Sequence, residues 1–189
     1  MGFLTKDHQG FDEMKLTPIP YSFIRNKVAL SWEDALWGYE HQLIGWSDIV
    51  SIADDRLALG SDDPVEIELS SLGKSETHQI GELLRDLADK DISEHEEISE
   101  KKWLFLILSW LYDNRETIPN PLAEVEIIYA DFDYPAEIEE FVSYMPVTDD
   151  YDPSQHSSEE NKARLISKWE DYLIKTRHHI GLSDQGNTK

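Results

Sequence analysis

Apolar residues run without a break from Trp103 to Leu108, and after Ser109 the run resumes with Trp110 and Leu111. Leucine dominates the stretch and neither Gly nor Pro interrupts it, so the pattern predicts helix rather than strand. Wound as a helix, these side chains point in every direction, and a helix apolar all round has to be enclosed by other elements. Each contributes roughly 1.5–3 kcal/mol when buried, more than any surface feature supplies. A membrane span takes about 20 apolar residues, so the run marks the centre of a core instead.

The remaining segments carry one-sided stripes. Pro18 and Pro20 force extended backbone around a short helix near residues 20–26. Ser31 caps a helix with Glu33 and Asp34 in its first turn; Trp32, Ala35, Leu36, Tyr39 and Leu43 share a face, and Gly45 ends it. Ser47 caps the next, which carries Ile49, Val50, Ile52, Ala53 and Leu57 and stops at Gly60. So short a link predicts an antiparallel hairpin. Residues 64–72 read two ways: Val65-Glu66-Ile67-Glu68-Leu69 alternates like a strand, while Val65, Leu69 and Leu72 share a helical face. Helix is preferred because no partner strand is visible.

Ser75 opens a helix bearing Ile80, Leu83, Leu84 and Leu87. Asp89 to Glu100 reads as linker, with Ser99 capping the central helix. Pro119 and Pro121 close that helix, and Asn120 caps the next, whose stripe is Leu122, Val125, Ile128 and Tyr129. Ala130 to Pro135 is a break, with Asp131 ending one helix and Asp133 capping another that carries Ile138, Phe141, Val142 and Met145. Residues 146–158 form an acidic surface loop. The last helix starts at Glu159, has Ala163, Ile166, Trp169, Tyr172, Leu173 and Thr176 on one face, and ends at Gly181. The expected fold is all-α, a single irregular bundle of about eight helices around the central apolar one. Residues 1–182 make one domain, and residues 183–189 a disordered tail.

Charge changes this picture more than composition does. Asp and Glu total 39 against 17 Lys and Arg, a net −22, which disfavours nucleic acid and anionic membranes as partners. Between Arg115 and Lys162 there is no Lys or Arg, while thirteen Asp and Glu are present. That interval is either a solvated surface or one that captures a basic partner. There is no Cys, which excludes disulfides, thiolate nucleophiles and thiolate metal sites and fits a cytoplasmic protein. No apolar segment of signal-peptide length opens the chain.

Candidate chemistry is sparse. Asp131 and Asp133 could hold a cation or act as acid and base, but helix termination and capping account for both. His178 and His179 point about 100° apart on a helix and do not chelate one metal. His41 and His78 belong to no ligand spacing, the serines to no nucleophile elbow and the glycines to no phosphate loop. No metal site, cofactor or catalytic constellation is expected. Trp46, beside Gly45, is the Trp expected to be exposed, as a binding anchor or as a lid over the core edge.

Three stretches carry a family resemblance. They are Val28 to Tyr39 (VALSWEDALWGY), Lys102 to Tyr112 (KWLFLILSWLY), and Ile128 to Pro135 (IYADFDYP) continuing through Phe141 to Pro146 (FVSYMP). Together they resemble the bacterial family known as domain of unknown function 2247, over roughly residues 18 to 146, with the Ala-Asp-Phe-Asp-Tyr-Pro element the most specific part. Many such small, acidic bacterial families are similar to immunity proteins of polymorphic toxin systems. The resemblance therefore implies an immunity-type protein that neutralises a cognate toxin, a basic one given the charge. The expected contact residues are Glu124, Glu126, Asp131, Asp133, Glu137, Glu139, Glu140, Asp149, Asp150 and Asp152, with Trp46, Tyr134 and Tyr151 as anchors. The alternatives are an enzyme or small-ligand binder with a helical pocket, built on Asp131, Asp133 and His41, and an adaptor that recognises another helical protein.

Overall fold

The computed structural model describes residues 18–90 and 96–180, all helix, turn and loop, with no strand among the described residues. The α-helices are α1 Tyr21–Ile24, α2 Trp32–Glu40, α3 Trp46–Ala58, α4 Pro64–Ser70, α5 Ile80–Ala88, α6 Glu96–Asn114, α7 Pro121–Asp131 and α8 Ser158–His179. Short 3-10 turns lie between some of them. The expected residues 1–16, the Gly181 stop and the 183–189 tail lie outside the described residues.

The apolar run is the hub. In α6 every residue from Lys102 to Ser109 is buried, as is Leu111. α2 packs on α6 and on α5, while α7 and α8 pack on other parts of α6. α3 and α4 pair with each other, joined to the centre through α2 and α5. α2 approaches α6 at Gly38, where an added Cβ would overlap the Trp103 ring.

Several boundaries differ from the sequence reading, each for a physical reason. α2 stops at Glu40, not Gly45. Gln42 takes the left-handed conformation (φ 60°), Leu43 N–H bonds back to the Gly38 carbonyl, and the chain turns Leu43 and Ile44 into the core. Gly45 then precedes α3, whose Asp48 carboxylate accepts from the Gly45 N–H (2.8 Å), so Ser47 is inside the helix and not its cap. The principal contacts of α2 and α3 are with α6, α5 and α4, not with each other as a hairpin requires. Residues 64–70 are helix, with Asp63 accepting from the Val65 N–H. Gly60 (φ 100°) does end α3 as expected.

The segment opened by Ser75 begins as a 3-10 turn, and α5 proper starts at Ile80. α6 starts at Glu96, so Ser99 lies within it and caps nothing. Asn120 stands at the α7 N-terminus but its side chain makes no cap hydrogen bond. Asp133 does not cap the following segment, which is a 3-10 turn from Ala136 to Phe141 preceded by Pro135. α8 starts one residue early, capped by Ser157 with Glu160 closing the reciprocal bond. Its inward face includes Trp169, and Ala163 is exposed.

Candidate functional site

Asp34 sits in the first turn of α2 and is wholly buried. One carboxylate oxygen accepts from the Ser31 N–H (2.8 Å), and the Asp34 N–H donates to Ser31 Oγ (3.0 Å). That capping box is only half of its surroundings. Ser99 Oγ of α6 donates to Asp34 Oδ1 (2.8 Å), Lys102 Nζ to Oδ2 (2.5 Å), and Trp103 Nε1–H to the Asp34 carbonyl (2.8 Å). The acid that favours the α2 dipole is thus also the ion-pair partner of a buried lysine. The network joins α2 to α6 and leaves no open face for a substrate, so it is structural.

The break after α7 has different geometry. Asp133 (φ 54°) and Tyr134 (φ 61°) are consecutive non-Gly residues in the left-handed region. Tyr134 N–H bonds back to the Tyr129 carbonyl (2.8 Å), which closes the turn. Tyr134 and Tyr144 are each 58% exposed, and both pack on the buried Tyr129 ring, with centroids 5.2 and 6.3 Å away. Tyr129 Oη donates to Glu139 (3.1 Å); burial, then that carboxylate acceptor, raises the phenol above its usual range. Ser143 Oγ donates to Glu126. Glu126 and Glu139 therefore flank a small aromatic platform beside Asp133, and no ion pair among the described residues involves these three; Glu137 faces α8 instead, lining a pocket with Lys168 and Tyr172.

The second part of the acidic interval behaves otherwise. Arg164 and Lys168 of α8 hold Asp149 at 2.6 and 3.1 Å, and Lys168 also reaches Glu140 (3.5 Å). The Lys168 ammonium and then the Arg164 guanidinium hold the Asp149 carboxyl down to about 2. Asp152 caps the turn Pro153–Gln155, and Tyr151 lies half-buried between His156 and Arg164. Two of the expected contact acids are thus engaged within the molecule: Asp149 and Glu140 are paired to α8. Asp149, Glu140 and Tyr151 fasten this part of the interval to α8, whose Arg164 and Lys168 supply the Arg and Lys the interval lacks, while Asp152 stays within its own turn.

Trp46, expected to be exposed, is half-buried and packed against the core on α3, as a lid over the core edge would be. Glu124 is half-buried on α7, and Asp150 is exposed. Asp131 is half-buried at the α7 terminus. His41 stacks on Trp37 at 3.7 Å, and Trp37 in turn meets Phe132 (5.9 Å) between the two aspartates.

The match to a bacterial family described as an uncharacterised conserved protein, domain of unknown function 2247, runs over residues 21–177. The chain belongs to this family. The DUF2247 match extends past residue 146, where the resemblance noted above ended, and takes in α8, so the helix that neutralises Asp149 is part of the family's domain. No curated protein and no solved structure matches the chain. Among the described residues of this DUF2247 protein there is no group of three or more His, Asp or Glu able to hold a metal, and no helix long and apolar enough to cross a membrane.

The sequence reading passed over two further groups, Glu66 and Arg56. Trp32 Nε1–H donates to the buried Glu66 Oε1 (2.6 Å), and the Arg56 guanidinium lies over the same indole at 5.0 Å. The alternation Val65 to Leu69 was the available signal: in a helix packed on α3, one of its acids has to face inward.

Proposed function

We propose that this DUF2247 protein is an immunity-type inhibitor that captures a basic toxin domain on the acidic, tyrosine-bearing end of α7. The observation that carries the reading is the turn at Asp133 and Tyr134. Two adjacent non-Gly residues in the left-handed region are unfavourable, and here they hold a large aromatic side chain in solvent. Aromatic anchors ringed by charge are what a specific protein interface uses: the rings supply buried area and the charges steer encounter. The family's bacterial distribution and the chain's net charge of −22 are consistent with a small cationic protein partner.

The contact set is accordingly narrower than the acidic interval. It comprises Tyr134 and Tyr144 as anchors, with Glu126, Asp133 and Glu139 as the charged rim. The test is co-expression with the toxin domain encoded by the adjacent gene. The wild-type chain restores growth. Tyr134→Ala, and Asp133→Lys combined with Glu126→Lys, each weaken binding by at least about tenfold and abolish rescue. Glu68→Lys, on the exposed side of α4, leaves rescue intact. Rescue that survives the α7 changes, or an adjacent gene with no toxin domain, contradicts the reading.

A further inference from the structure

A second site lies on another part of the molecule. α1, α3 and α4 enclose an open cleft of about 770 Å³ lined by Val28, Leu30, Ile52, Arg56 and Glu66, among others. Tyr21, Arg25 and Asp55 also line it, but they satisfy one another. Tyr21 Oη donates to Asp55 (2.9 Å), Arg25 pairs with the same carboxylate (3.4 Å), and burial with the Asp55 acceptor pushes the Tyr21 phenol up to about 12.

Glu66 and Arg56 are not satisfied in this way. Glu66 is only 4% exposed; its Oε1 accepts from Trp32, and its Oε2 is buried without any hydrogen-bond partner. A buried carboxylate oxygen without a donor is costly and rare. Arg56 gives one N–H to the Leu30 carbonyl (2.8 Å) and lies over the face of the indole whose edge Glu66 holds. One ring thus positions opposite charges beside one another, yet the two form no ion pair. A simple cation in this cleft would meet Arg56, and a simple anion would meet Glu66. A molecule carrying both charges answers both.

We propose that the cleft binds a small zwitterion of the free amino-acid class. Its ammonium donates to Glu66 Oε2, its carboxylate takes the Arg56 guanidinium, and an apolar side chain lies on Val28, Leu30 and Ile52. The site shares no residue with the α7 surface, so it stands or falls independently of the inhibitor reading.

The experiment is a titration of the full isotope-labelled chain with valine, leucine, methionine and phenylalanine, followed by amide NMR. At least one of them shifts the amides of residues 21–30, 52–61 and 66 in a saturable manner. For leucine as ligand, 4-methylpentanoate lacks the ammonium and 3-methylbutylamine lacks the carboxylate, and each binds at least about tenfold more weakly. Glu66→Gln keeps an acceptor for Trp32 and loses binding; Ala58→Trp, on the cleft wall, blocks it while the remaining amide spectrum is unchanged. No shift with any of the four up to concentrations on the order of 10 mM overturns the proposal and leaves a bridging water as the partner of Glu66. Binding of either half-analogue as tight as that of leucine, or shifts confined to other residues, overturns it as well.

Discussion

Individual positions in this chain carry sharply different consequences. Gly38 is where α2 meets Trp103, and a single methyl group there has no space. Gly38→Ala is expected to cost about 1–3 kcal/mol through overpacking, measurable as a lower urea midpoint with an unchanged slope. Asp34 is more severe. Asp34→Ala leaves the Lys102 ammonium buried without its partner and is expected to cost about 3–5 kcal/mol. The double change Asp34→Leu with Lys102→Met recovers most of that loss, and strict additivity in the same denaturation series would contradict the pairing. Burial of Trp103 to Leu108 was legible because a run apolar on all sides has one solution. Burial of Asp34 was not legible: an acid in a first helical turn already has a complete local explanation. Its second role depends on Ser99 and Lys102, which lie 65 and 68 residues further along.

At the level of elements, the links between the acidic loop and α8 are electrostatic and titrate. Asp149 is shifted from 3.8 to about 2 by Lys168 and Arg164. Because the folded value is below the unfolded one, its contribution is present above about pH 4 and is lost as pH falls toward about 2. A carboxyl-carbon NMR titration of Asp149 reads this directly, and a midpoint at the ordinary aspartate value would show that the loop is not fastened there. The turn after α7 is the second element to test. Asp133→Gly removes the left-handed penalty and is expected to stabilise by up to about 1 kcal/mol. Most helices were readable from their apolar stripes; α6 was readable from its unbroken apolar run, and residues 64–70, whose pattern also fitted a strand, from the lack of a partner strand. Ends were less so. Gln42 takes the left-handed position that a nearby Gly45 suggested for itself, since the core needs Leu43 and Ile44 there. The 3-10 character of Lys74–Gln79 and Ala136–Phe141 leaves no distinct mark in the order of apolar residues.

For the whole molecule, the charge distribution along the chain marked the proposed contact region but not its extent. An interval without Lys or Arg looks uniformly sticky on paper. In three dimensions α8 returns Arg164 and Lys168 to its second half, where they pair with Asp149 and Glu140, while Tyr134 in the first half stays exposed. Sequence order could not show that division because the neutralising residues follow the interval. The most direct test is the association rate of the cognate toxin domain as ionic strength is raised from about 10 to 300 mM, a range over which the screening length falls several-fold. The rate is expected to drop by about tenfold or more, and Asp133→Lys with Glu126→Lys to remove most of that dependence. A rate indifferent to salt, or a salt dependence that the two reversals leave untouched, would contradict capture on this face.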